Sequence, residues 1–253
     1  MPRPYRKRSI MDDKIKRVRE ILREAKKIAV LTGAGISAES GVPTFRGEEG
    51  IWKKFTASEL ATPEAFRTNP RRVWEWYGWR RGEMLEAKPN PGHYALAELE
   101  KQATEFALIT QNIDNMHILA GSRNVLEIHG NIFRNRCTVC GQKEHDERSD
   151  FSEPNELPIC GKCGSPARVD VVWFGEQLPE RELSASLAAA ESCDVFISAG
   201  TSALVYPAAH FPELAKRTGA TLIEVNLEPT HLTQIADFSF LGKTGEILPE
   251  LVG

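Results

Sequence analysis

The 253-residue chain sets 32 Lys and Arg against 35 Asp and Glu, a formal net charge of -3, with 41% hydrophobic and 26% charged residues. That balance excludes a general attraction to nucleic acid or to an anionic membrane surface, so a direct nucleic-acid ligand is not expected. Such a composition is that of a globular protein with room for one large domain or a large and a small one. No stretch reads as a signal peptide or an apolar span of about 20 residues, so no membrane partner and a cytoplasmic location are expected.

Residues 1–10 carry Arg3, Arg6, Lys7 and Arg8 among two prolines and are expected to be a mobile basic tail. After Asp12-Asp13, the residues Ile15, Val18, Leu22 and Ala25 recur at helical spacing, and the acidic pair suits a helix start. The apolar run Ile28-Ala29-Val30-Leu31 follows as a strand, and directly after it comes Gly33-Ala34-Gly35-Ile36-Ser37-Ala38. This fits the pattern G-x-G-x-x-G/A, in which glycines bring backbone N–H groups close to a pyrophosphate and a small third residue lets helix and strand approach. A dinucleotide is the first ligand to consider. An ordinary dehydrogenase is disfavoured, because the ribose-binding acid expected about 20 residues on is replaced by Ile51-Trp52-Lys53-Lys54-Phe55-Thr56.

Short apolar runs recur at Phe106–Thr110, Val125–Ile128, Val195–Ser198 and Thr221–Val225, with a weaker one at Phe238–Leu241. Helical patterns around Tyr94–Gln102, Arg181–Glu191 and Ala208–Thr218 separate several of them, which is the rhythm of a parallel sheet covered on both faces. The fold class expected is α/β, a Rossmann-like parallel sheet with helices on both faces plus a small zinc-ribbon and helical insertion domain. Residues 11–50, 89–133 and 170–253 form the Rossmann part. Residues 51–88, rich in tryptophan, form a helical insertion, and 134–169 form a zinc-binding insertion.

Four of the five cysteines fall as Cys137-x2-Cys140 and Cys160-x2-Cys163, separated by 19 residues. Each pair brings two thiolates from one tight turn to the same tetrahedral ion, so one structural zinc is expected; two disulfides are the alternative in an oxidising compartment. Cys193 opens a strand-like run and reads as a small core residue.

Loop ends carry the remaining motifs: Gly33–Gly47, Thr110–His117, Ile128-His129-Gly130, the four cysteines, Val172-Trp173-Phe174-Gly175-Glu176, Gly200-Thr201-Ser202 and Val225-Asn226. In order and spacing these resemble the sirtuins from about residue 11 to the C-terminus. The resemblance implies an NAD-dependent protein-lysine deacylase that releases nicotinamide and 2′-O-acyl-ADP-ribose. NAD is then consumed as co-substrate, and acylated-lysine proteins or peptides are the partners. His129 matches the family's catalytic base, a task for which an imidazole is suited near neutral pH, and Asn112 joins it as catalytic. The same resemblance puts Gly33, Ala34, Gly35, Ser37, Ala38, Thr44, Phe45 and Arg46 on the cofactor. Gln111, Asn112, Ile113 and Asp114 follow around nicotinamide and its ribose, although Asn112-Ile113-Asp114 alone reads equally as a helix cap. Gly200, Thr201 and Ser202 flank phosphate; Asn226, Leu227 and Glu228 meet the adenosine ribose; and Thr244 stands at an adenine-contacting position. Val172, Trp173, Phe174 and Gly175 resemble the segment that pairs with substrate as an added strand, while by residue type alone the two aromatics read equally as core.

Tyr77 and Arg80 lie three apart on one helix face. They match the pair that marks sirtuins preferring acidic acyl groups, with Ala61 where that class has a small residue. A guanidinium binds a carboxylate bidentately, so desuccinylation and demalonylation are expected, with weaker deacetylation. A mono-ADP-ribosyltransferase and a non-catalytic NAD-sensing zinc-ribbon module are the alternatives.

Overall fold

The computed structural model describes residues 4–44, 51, 56–152 and 157–253. A long helix α1 (Pro4–Glu24) leads into β1 (Lys27–Thr32) and the short α2 (Ala34–Ala38). Regular helix thus begins at Pro4, where the sequence reading expected a tail through residue 10; proline is tolerated in a helix's first turn and the Arg-Lys-Arg run that follows favours helix.

Two short helices, α3 (Ala57–Leu60) and α4 (Pro63–Thr68), lead into the long α5 (Pro70–Glu86), then α6 (Pro91–Gln102). Three of these four share one start signal. Thr62, Asn69 and Asn90 each precede a proline, and their side-chain oxygens accept from the N–H groups of Ala65, Arg72 and Gly92 at 3.1, 3.1 and 2.9 Å. Each cap satisfies a donor that the helix cannot, and proline takes the position where a missing N–H costs nothing.

The chain continues through β2 (Glu105–Thr110), α7 (Met116–Leu119), β3 (Val125–Glu127), β4 (Gly130–Cys137), β5 (Lys143–His145) and β6 (Ala167–Val171). It closes with α8 (Glu180–Ser192), β7 (Val195–Ala199), α9 (His210–Arg217), β8 (Thr221–Asn226), β9 (Phe238–Leu241) and α10 (Thr244–Val252). Six strands form one parallel sheet in the order β3-β2-β1-β7-β8-β9. Alternate residues of β1 serve its two faces: Ile28 and Val30 meet Val18, Leu22, Leu96 and Leu248, whereas Ala29 and Leu31 meet Ala190, Phe211 and Phe196. Helices therefore cover both sides. The strand order reverses at β1, so the loops after β1, β2 and β7 open a crevice at the carboxyl ends, where such sheets bind ligands.

The second sheet, β5-β4-β6, is antiparallel. It begins at Gly130 and ends at Val171, extending beyond the expected 134–169 at both ends because Gly130 pairs with Val171. Gly130 has φ +81, and a Cβ there would lie 2.0 Å from the Asp170 carbonyl oxygen, so no other residue fits that crossing. Helices α3–α5 share a core with this sheet through Trp74, Trp76, Phe151, Ile132 and Val169. Arg81, fully buried, donates to the Ile132 and Arg148 carbonyls at 2.7 and 3.1 Å and to Asn135 Oδ1 at 2.7 Å. The two insertions thus build a single module.

Candidate active site and metal centre

A cleft of about 1570 Å³ runs from the glycine loop across the sheet's carboxyl edge to the insertion module. That exceeds the few hundred to 1,000 Å³ of most small-molecule pockets and leaves room for a dinucleotide beside a second substrate. Its walls carry Gly33, Ala34, Gly35, Ala38, Thr44, Gln111, Asn112, Ile113, His129, Gly200, Thr201, Ser202, Asn226, Leu227, Glu228 and Thr244. They also carry Ala61, Tyr77, Arg80, Val172, Trp173, Phe174 and Gly175. Phe45 and Arg46 lie outside the described residues.

Two of the expected cofactor residues, Ser37 and Asp114, sit behind this wall. Ser37 Oγ donates to Asp114 Oδ2 at 2.6 Å, and Asp114 Oδ1 accepts from the Met116 N–H at 3.0 Å. Asn112 Nδ2 donates to Ser37 Oγ and to the Gly33 carbonyl, both at 3.1 Å, so the buried pair orients the asparagine at the surface of the cleft. Asp114 thereby supports the turn into α7 from one residue before its N-cap, Asn115. Burial raises its carboxyl above the ordinary aspartate value, opposed by the Ser37 bond.

His129 follows β3. Its Nδ1 stands 2.9 Å from the Gln111 carbonyl oxygen; a carbonyl only accepts, so Nδ1 carries the proton and Nε2 is the basic nitrogen. Burial lowers the imidazole below its usual value, with the Gln111 bond opposing. The residue is held on both sides, since its own carbonyl accepts from the Val172 N–H at 2.9 Å.

Trp173 Nε1 donates to Tyr77 Oη at 3.0 Å. Burial pushes the Tyr77 phenol up to about 12 and brings the Arg80 guanidinium down to about 10, so at neutral pH one is neutral and the other charged. The Phe174 N–H donates to the Ala61 carbonyl at 2.9 Å, which fixes that small residue beside the aromatic segment. Phe174 itself is 54% exposed, a rim residue rather than core, whereas Trp173 is both buried and cleft-lining.

Residues that the sequence reading missed stand close by. Glu39 Oε1 accepts from Thr244 Oγ1 and the Gly245 N–H at 3.2 and 2.8 Å, so the Thr244 hydroxyl already has a partner. Behind the wall, His93 Nε2 lies 3.4 Å from Ser37 Oγ and His117 Nε2 lies 2.9 Å from Thr32 Oγ1. Arg168 bonds Glu176 and the Val171 carbonyl. His93 and Arg168 lie outside the quoted motifs, and although Glu39, His117 and Glu176 lie inside them, only the folded chain shows these contacts.

The sulfurs of Cys137, Cys140, Cys160 and Cys163 lie within 4.8 Å of one another. Cys137–Cys163, Cys140–Cys160 and Cys140–Cys163 stand at 3.5, 3.7 and 3.6 Å. A tetrahedral ion with Zn–S of about 2.3 Å needs sulfur separations of about 3.8 Å, while a disulfide needs about 2.05 Å. All five cysteines are free thiols, so the disulfide alternative fails and the donor set fits zinc. Cys193 is buried core, its thiol pushed up to about 11 by burial.

Comparison with known proteins matches residues 33–207 to the profile of the Sir2 family. The chain belongs to the Sir2 family. It is 54% identical over 238 residues to an NAD-dependent protein deacylase of Pyrococcus furiosus, covering 93% of this chain and 95% of that one. A solved Sir2 homologue in complex with NAD is similar at 47% identity and TM-score 0.87, covering 94% of this chain and 92% of that one. A Sir2 protein bound to a myristoylated histone peptide is similar at 40% identity and TM-score 0.75, with 95% of each chain covered. Among the described residues no helix is long and apolar enough to cross a membrane.

Proposed function

We propose that this Sir2-family NAD-dependent protein deacylase acts on lysines carrying acidic acyl groups, succinyl and malonyl, and more slowly on acetyl-lysine. The observation that carries the reading is Tyr77 and Arg80 side by side in the cleft wall, both buried, the phenol protonated and the guanidinium charged. A carboxylate at the end of an acyl chain offers such a pair charge-assisted bonds, whereas an acetyl group offers none. Ala61 leaves the neighbouring space open.

NAD supplies a ribose carbon that the acyl oxygen can attack as nicotinamide leaves. The chain's own groups bind and orient. The Gly33–Ala38 turn and Gly200–Ser202 hold the phosphates, Asn226, Leu227 and Glu228 the adenosine, Thr244 the adenine edge, and Gln111, Asn112 and Ile113 the nicotinamide side. Phe45 and Arg46 are proposed to complete that side. Trp173 and Phe174 flank the lysine stem. Internal bonds already use the N–H groups of Val172, Trp173, Phe174 and Glu176, so pairing with a substrate strand falls to the Gly175 bend and to carbonyls. His129 Nε2 is the base that takes a ribose hydroxyl proton, its lowered pKa keeping it neutral at working pH.

One lysine peptide prepared in succinyl, malonyl and acetyl forms, incubated with NAD, tests the reading through nicotinamide release and product masses. Acidic acyl groups should be removed with the higher kcat/KM and recovered on ADP-ribose. Acetyl-lysine processed as well as succinyl-lysine would overturn the acyl assignment, and ADP-ribose attached to peptide would mark a transferase.

A further inference from the structure

In the cleft wall the Trp173 indole N–H donates to the Tyr77 hydroxyl at 3.0 Å, and both side chains are buried, at 2% and 3% exposure. An indole nitrogen is a donor only, whereas a phenol oxygen accepts and also donates its single proton. Trp173 therefore occupies an acceptor direction on the Tyr77 oxygen. The phenol proton is left to point elsewhere, and Arg80 stands one helical turn along the same wall.

The indole is itself held against rotation. The Arg168 guanidinium carbon lies 3.2 Å from the Trp173 ring centroid. That guanidinium is fixed by two bonds to Glu176, at 2.6 and 3.1 Å, and one to the Val171 carbonyl at 2.6 Å. Glu176 Oε2 also accepts the Trp173 backbone N–H at 2.9 Å. On another side the Phe66 ring is tilted against the indole at 5.5 Å. A ring clamped this way offers its N–H in one direction.

We propose that Trp173 is a positioning residue for acyl selection: its indole N–H fixes the Tyr77 hydroxyl so that the phenol proton faces an acyl carboxylate held by Arg80. The inference rests on the acidic-acyl reading. Without the indole donor, the hydroxyl can turn its proton away and set a lone pair against the carboxylate. With it, the phenol is ordered before substrate arrives, and no ordering cost falls on binding. An acetyl group carries no carboxylate and gains nothing from this orientation.

The test uses the full-length enzyme and one lysine peptide in succinyl and acetyl forms, with kcat and KM measured separately. Trp173→Phe should lower the succinyl-to-acetyl ratio of kcat/KM about three- to tenfold, the worth of one neutral hydrogen bond, and should do so through KM for the succinyl peptide. Any loss from poorer packing falls on both peptides and cancels in the ratio. In a Tyr77→Phe background the same substitution should leave the ratio unchanged, because no hydroxyl remains to orient. Site-specific replacement of Trp173 by its benzothienyl analogue, which keeps the ring shape and replaces N–H by sulfur, should reproduce the fall with the packing intact. A ratio that the analogue leaves at the wild-type value, or an equal fall in the Tyr77→Phe background, overturns the positioning role alone. A wild-type enzyme that handles both peptides alike overturns the acidic-acyl reading and this role with it.

Discussion

The Gly35 N–H donates to the Gly200 carbonyl at 2.8 Å, and a Cβ on Gly35 would lie 2.7 Å from that same oxygen. The loops after β1 and β7 therefore touch backbone to backbone. Gly33 is equally confined, its notional Cβ 2.9 Å from the Thr201 Cβ. The glycines of the dinucleotide pattern are required first by this loop-to-loop contact, and the cleft surface they form is its consequence.

Gly200→Ala should accordingly destabilise the protein. Gly200 has φ +61, and its Cβ would meet the Ile36 nitrogen at 2.3 Å. Left-handed backbone costs about 1–2 kcal/mol and a forced shift about 1–3 kcal/mol more, so a fall in Tm of roughly 5–15 °C is expected for a chain of this size. The stabilisation that NAD gives in the same melt should shrink as well. A variant with unchanged Tm would show that the two loops separate freely.

His129→Ala should reduce deacylation by at least about 100-fold, the usual worth of a general base, while NAD still raises the Tm. Because burial lowers the His129 pKa in the free protein, the acid limb of kcat/KM should inflect below the ordinary histidine value of about 6.5. Neutral imidazole is the active form, so activity is lost as pH falls through that inflection and is retained above it. An inflection at or above 6.5 would remove His129 as the titrating group.

Removal of zinc by a strong chelator, or Cys140→Ser, should lower the Tm and the activity together, because β4, β6 and the turns between them carry both metal ligands and the strand that leads to Val172. The binding energy of the ion contributes to folding. Metal analysis of the untreated protein should return one zinc per chain; none, or oxidised cysteine pairs, would refute the assignment.

Buried neutral histidines predict acid sensitivity. Desolvation brings His93 down to about 4 and His117 well below its ordinary value. In the unfolded chain each titrates near 6.5, so between those values the unfolded state binds more protons and stability falls as pH falls. His93 alone accounts for about 3 kcal/mol by pH 4. His93→Gln should flatten the plot of unfolding free energy against pH between about 6.5 and 4; an unchanged slope would mean that His93 is not held neutral.

Arg80→Met should raise KM for succinyl-lysine and lower its kcat/KM by at least roughly tenfold, since charge-assisted bonds are worth about 1.5–3 kcal/mol each. Acetyl-lysine should suffer much less. Equal losses on the two peptides would make Arg80 a support of the insertion module, where it also lies 5.3 Å from the Trp76 ring.

The elements were legible where local chemistry dictates them. Apolar runs such as Val195–Ala199 became buried parallel strands, cap-plus-proline pairs opened helices, and cysteine spacing alone placed four sulfurs at one point. The extent of the second sheet was less legible, because Gly130 and Val171 are joined only by pairing across 41 positions of sequence.

The sequence by itself determined the parallel sheet and the cysteine cluster, since these depend on residue type, period and short spacing, while most of the cleft-lining side chains were named through the resemblance to the sirtuins. Tertiary structure decided which of those residues face the cleft and which stand behind it. Ser37, which accepts from Asn112, and Asp114, which accepts from Ser37, stand behind the cleft wall, and Thr244 is engaged by Glu39, 205 positions away. Trp173, which by residue type reads equally as core or site, packs in the core of the insertion module and also bonds the Tyr77 hydroxyl. Such relationships join residues distant in the chain, and a hydrogen bond depends on direction within a few tenths of an ångström, which only the packed fold supplies.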